Sequence, residues 1–135
     1  LRAEPLNREN FNFLYSGRVM PILRIIANYI HNDDEPDSQM IFDVLLNENQ
    51  MISGDHEFYG CSAGEGGRSP FILQADDGED EIEIYWGVDF NEDPTHTTIN
   101  FHGQGVFIGV IFTRTDIAGG NATVYQYNVV EIIAM

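Results

Sequence analysis

From Glu81 to Val88 the chain alternates: Ile82, Ile84, Trp86 and Val88 hold one parity, and Glu81, Glu83 and Tyr85 hold the other. A period of two is the signature of a strand with one buried and one wet face. The alternation sits inside Gln74–Asp93, which carries nine carboxylates (Asp76, Asp77, Glu79, Asp80, Glu81, Glu83, Asp89, Glu92, Asp93) and no basic residue. A rigid element therefore presents an acidic outer face. The same stretch holds the only tryptophan, Trp86.

The same period recurs along the chain. Phe11, Phe13 and Tyr15 suit a short strand, or equally one helical turn capped by Asn7 and ended by Gly17. Residues 19–31 fit a helical face (Ile22, Ile26, Tyr29, Ile30) and a strand face (Leu23, Ile25, Ala27, Tyr29) alike. The β-branched neighbours Ile25 and Ile26 favour the strand. After the breaker NDDEPDS, Met40, Phe42, Val44 and Leu46 alternate again, which predicts two long strands joined by an acidic loop. Residues 47–70 hold five of the thirteen glycines between Gly54 and Gly67 and read as an irregular surface loop, with a short strand at 57–59. Ser69-Pro70 opens a strand at FILQ. Residues 95–102 alternate, residues 105–114 are continuously apolar as in a central strand buried on both faces, 116–121 form a turn, and 123–133 close the chain as a strand. The expected fold is a single mainly β domain over 1–135, an antiparallel β-sandwich or strongly curved sheet with room for one short helix. Residues 1–10 are polar and expected to be weakly tied down.

Charge narrows the partners. Twenty-two acids stand against six basic residues, all arginine, for a net charge of −16. Such a field disfavours nucleic acid and anionic membranes and steers basic proteins. No window approaches a membrane span. The N-terminal LRAEPLNREN lacks the basic-then-apolar plan of a signal peptide, and Cys61 alone makes no internal disulfide. A cytoplasmic location is expected.

Alternate residues on a strand are about 6.7 Å apart, so Glu79, Glu81 and Glu83 would form an even row of charge suited to arginines and lysines that normally grip a phosphate backbone. The plainer account is an edge strand kept wet to prevent aggregation, with Arg24 or Arg114 from distant strands supplying neutralisation. Asp33, Asp34, Glu35 and Asp37 could extend the same surface. Neither acidic loop has calcium-loop spacing. His96 and His102 lie too far apart on one strand to share a metal; His102 is a candidate contact residue, although a partly exposed structural role is the simpler one. Cys61 lacks the electropositive setting of a nucleophile, and GEGGRS lacks the ending of a phosphate loop. Glu83 and Asp89 are nominal partners for glycoside hydrolysis, but two acids among 22 are no signal.

In general character – single-domain size, no leader, acidic clusters at Asp33–Asp37 and Asp76–Glu83 – the chain resembles the small immunity proteins of bacterial polymorphic-toxin and contact-dependent growth inhibition systems. Those families share no single fold and no motif that assigns residue roles here. The resemblance implies a cytosolic antidote that binds a basic toxin domain, often a nuclease, and masks its active site as a heterodimer. The surface expected to do so comprises Asp33, Asp34, Glu35, Asp37, Asp76, Asp77, Glu79, Asp80, Glu81, Glu83, Tyr85, Asp89 and His102. No catalysis, cofactor or metal is expected. The alternatives are a calcium- or carbohydrate-binding β-sandwich and, behind it, a carboxylate-dependent hydrolase.

Overall fold

The computed structural model describes residues 22–30, 38–54, 56–64, 67–75, 81–86 and 96–135. They form eight strands: β1 (Ile22–Ile30), β2 (Gln39–Leu45), β3 (His56–Gly64), β4 (Gly67–Ala75), β5 (Glu81–Tyr85), β6 (His96–Asn100), β7 (Ile111–Ala118) and β8 (Asn121–Ala134). Each pairs antiparallel with the next, and β8 also pairs with β1, which closes a barrel in chain order. The expected sandwich or open curved sheet is therefore corrected to a closed barrel, and the described residues contain no helix. Alternation in and out is the same in a sandwich and a barrel; closure is a matter of register and of the length of β8. That strand runs 14 residues and serves two neighbours. Its pairing with β1 jumps from Glu131 to Val129 between Ile26 and Ala27, a bulge at Val130 that adds the local twist a closing strand needs.

Residues 19–31 resolve as strand where described: β1 buries Leu23, Ile25 and Ala27 against Met40, Phe42 and Val44 of β2. The glycine-rich stretch read as an irregular loop is instead the β3–β4 hairpin, nine pairs long from His56↔Ala75 to Gly64↔Gly67. Gly60 belongs to a packed wall. A Cβ there would meet the Ile41 carbonyl oxygen and the Phe71 ring, both at 2.6 Å, so the missing side chain is what lets Phe71 lie across it.

Residues 105–114, expected to form one central strand, are the second correction. Their first part, 105–110, joins 101–104 as the plug of one barrel end, and only 111–114 are extended, as the start of β7 at Ile111. Gly103, Gly105 and Gly109 have φ of 73°, 78° and 93°, which breaks the extended line and lets Val106 and Phe107 both turn inward. Val106 N–H donates to the Gln50 carbonyl and Gly109 N–H to that of Val129, so the plug is tied to the β2–β3 connection and to β8. The turn placed at 116–121 is shorter: β7 and β8 pair as far as Ala118↔Asn121 around Gly119 and Gly120.

Above the plug the lumen is filled. Phe112 is fully buried, tilted against Phe101 at 4.6 Å between centroids, stacked on Tyr127 at 5.5 Å, and edge-on to Phe42 at 6.1 Å. An eight-stranded barrel is just wide enough for such a filling or for one small ligand. Of the 22 carboxylates, seven (Asp43, Glu48, Glu57, Glu81, Glu83, Asp116, Glu131) stand on described residues, so most of the charge belongs to segments outside them.

Candidate functional site

The inward positions of β7 read Phe112, Arg114, Asp116. The first continues the apolar filling; the next two place a charged pair in the lumen. The Arg114 and Asp116 side chains are only 13% and 19% exposed. Arg114 grips Asp116 with two hydrogen bonds, Nε to Oδ1 and Nη2 to Oδ2, each 3.0 Å. Its Nη1 donates to Ser62 Oγ at 3.1 Å and to the Tyr127 hydroxyl at 3.4 Å. Ser62 is on β3, four strands from β7 in a barrel of eight, and so diametrically opposite. The arginine is thus a crossbar over the packed core.

Aromatic faces hold the crossbar flat. The guanidinium carbon lies 5.1 Å from the Trp86 ring centroid and 5.6 Å from that of Tyr125. Trp86 Nε1 donates to Thr97 Oγ1 at 2.8 Å, and that hydroxyl donates to Asp116 Oδ1 at 3.0 Å. Phe71 meets Trp86 edge-on at 5.4 Å, and Tyr29 packs against both Tyr125 and Tyr127. Every strand but β2 and β5 contributes a side chain, and Trp86 directly follows β5. Toward the Trp86 end the inward residues of β3 (Gly60, Ser62, Gly64) and Ser69 of β4 are small, which is what lets a guanidinium from β7 reach across.

Burial by itself lowers the Arg114 pKa, but the hydrogen bonds and charge of Asp116 more than offset it, and the guanidinium is held above its ordinary value. A value raised on folding contributes stability at every pH below that of the free guanidinium, so the charge is constant near neutrality. Burial first, then the charge of Asp116, pushes the Tyr125 hydroxyl up, and it stays a neutral phenol in the same range.

Of the residues singled out from sequence, Glu81, Glu83, Tyr85 and His102 are described. The first three point outward on β5, and Ile82 and Ile84 point into the core, as the alternation requires. Trp86 also turns inward, onto Arg114. β5 is not an edge: it pairs with β4 and β6, so protection of an open edge does not account for its glutamates. Neither arginine expected to neutralise them does so, because Arg24 is paired with Asp43 and Arg114 is inside. His102 follows β6 at the plugged end, with its Nε2 2.9 Å from Thr113 Oγ1 and a φ of 55°. Asp33, Asp34, Glu35, Asp37, Asp76, Asp77, Glu79, Asp80 and Asp89 lie outside the described residues. The strands that anchor them are informative: Ile30 and Ser38, flanking 31–37, stand at the Trp86 end, and Ala75 and Glu81, flanking 76–80, at the plugged end. Among the described residues no group of three His, Cys, Asp or Glu is placed to hold a metal ion.

Sequence reasoning missed Arg114, Asp116, Thr97, Tyr125, Tyr127, Tyr29 and Ser62 as a unit. The available signal was Arg114-x-Asp116 in phase with Phe112, opposite Tyr125-x-Tyr127. Comparison with protein-family models, curated proteins and solved structures finds no match.

Proposed function

We propose that this protein binds a small organic molecule in the barrel mouth, on the floor made by Arg114, Asp116, Trp86 and Tyr125. The observation that carries the reading is the charged pair held across the lumen at the end opposite the plug. A buried ion pair is a poor device for stability alone, since apolar residues of equal volume usually serve as well or better. What it supplies is a fixed, electrically balanced set of donors and acceptors beside aromatic faces, and barrel mouths are a preferred place for such sites. Balanced charge favours a neutral ring compound with hydrogen-bonding groups over a strongly charged one. Trp86 is the sole tryptophan and touches the crossbar, so its emission reports on the site. Titration with phenol and with a methyl glucoside is expected to give a saturable change with at least one, absent in the Arg114→Met/Asp116→Leu double variant. A flat response to both rejects the reading.

A second reading keeps the basic protein partner and rests on the outer wall. Glu83 pairs in register with Gln74, which pairs with Glu57, while Tyr85 pairs with Ile72 and Ile72 with Tyr59. The two rows set exposed carboxylates beside tyrosines that are 46% and 72% exposed, a combination suited to a cationic protein surface. The Glu81→Lys/Glu83→Lys variant is expected to slow association with a basic partner captured from the source cell, most strongly at low salt. Unchanged association at low salt removes β5 from the interface.

A further inference from the structure

The outer wall carries a concavity whose lining includes none of the crossbar residues. β2 and β3 pair only from Gln39↔Ala63 to Phe42↔Gly60 and then part. Where they separate, the wall opens into a groove of about 520 Å³, within the range of small-molecule sites. Its floor is apolar: Ile26 of β1, Ile41 of β2 and Ile133 of β8. Tyr59 stands at its side with 72% of its surface exposed.

The charges among its lining residues run against those of the chain. Three arginines stand on described residues; Arg114 is in the lumen, and the other two, Arg24 and Arg68, both line this groove. The one carboxylate among the lining residues, Asp43, is already held by Arg24 through bonds of 2.8 Å and 3.0 Å. Arg68 is exposed and has no ion pair among the described residues. Among the described residues, one cation is thus left without an ion pair beside an apolar floor.

We propose that this groove binds an amphipathic anion, a carboxylate or sulfonate carried on an alkyl body of modest length. Arg68 receives the anionic group, the three isoleucines the apolar body, and Tyr59 flanks it. The Arg24–Asp43 pair closes one side and offers no free carboxylate to repel the ligand. A cationic or strongly hydrated ligand gains nothing from this floor.

Cys61 lines the same groove, half-buried, as a free thiol, and supplies the readout. The test is alkylation of Cys61 by iodoacetamide, followed by mass spectrometry of the intact chain, with and without millimolar decanoate. Decanoate is expected to slow alkylation several-fold and to leave Trp86 emission unchanged. Arg68→Glu, an exposed change that should leave the melting temperature near that of the parent, is expected to weaken protection about tenfold, as loss of a charge-assisted contact implies. Tyr59→Ser is expected to weaken it less. Absence of protection overturns the proposal, as does equal protection in Arg68→Glu. A change in Trp86 emission without protection of Cys61 places the anion in the barrel mouth and also overturns it. Since the two sites have separate reporters, failure here leaves the mouth reading intact.

Discussion

Asp116→Ala is expected to destabilise the barrel by about 3–5 kcal/mol, the range found when one partner of a buried ion pair is removed. The loss comes less from the missing carboxylate than from what it leaves behind. Arg114 stays in the lumen, pinned between Trp86 and Tyr125, with a full charge and its two strongest acceptors gone. Thr97 Oγ1 loses its acceptor as well. Urea unfolding followed by far-UV circular dichroism measures the effect. The control is the Arg114→Met/Asp116→Leu double variant, which removes both charges and fills similar volume. It is expected to recover most of the stability, giving a large coupling between the two positions. If the single change costs less than about 1 kcal/mol, as for an exposed pair, the guanidinium is better hydrated than its 13% exposure implies.

Phe112→Ala is expected to cost about 3–5 kcal/mol by a different route. Phe112 contacts three aromatic rings and has no exposed surface. Its truncation leaves a void bounded on one side by the plug residue Phe101 and on the other by Tyr127, which also bonds Arg114. A barrel wall closed by hydrogen bonds around its whole circumference has little freedom to collapse into that void, so the cost belongs near the top of the range. Phe112→Leu keeps most of the volume and is expected to cost clearly less. Thermal melts of the two variants order them. Equal melting temperatures for Phe112→Ala and the parent would show that the lumen is not the core.

How much was legible beforehand differs by element. Strands with one wet face announced themselves: Met40, Phe42, Val44 and Leu46, and Ile82 and Ile84, are buried as their spacing requires. The β3–β4 hairpin was hidden because glycine is a turn signal everywhere except where a wall needs a gap, and Gly60 makes room for Phe71. Residues 105–114 misled in the other direction, since a continuous apolar run describes a doubly buried strand as well as it describes a plug segment, 105–110, leading into β7. The polar site was invisible for a related reason. Arg114 and Asp116 look like ordinary surface charges until the inward face of β7 is known.

The sequence by itself determined that the chain is built of strands, which side of most of them is buried, and that a large negative charge must be carried outside the core. These are local properties, set by a two-residue period and by the cost of burying charge. The tertiary structure alone decided closure of the sheet, the plug at one end, and the meeting of β3 and β7 across the lumen. Each of these depends on register between strands far apart in the chain. The Arg114–Ser62 contact spans 52 positions, and no local pattern carries that information. Closure also removed the edge from β5, so its glutamates need another explanation than the one a sheet with open sides would have supplied.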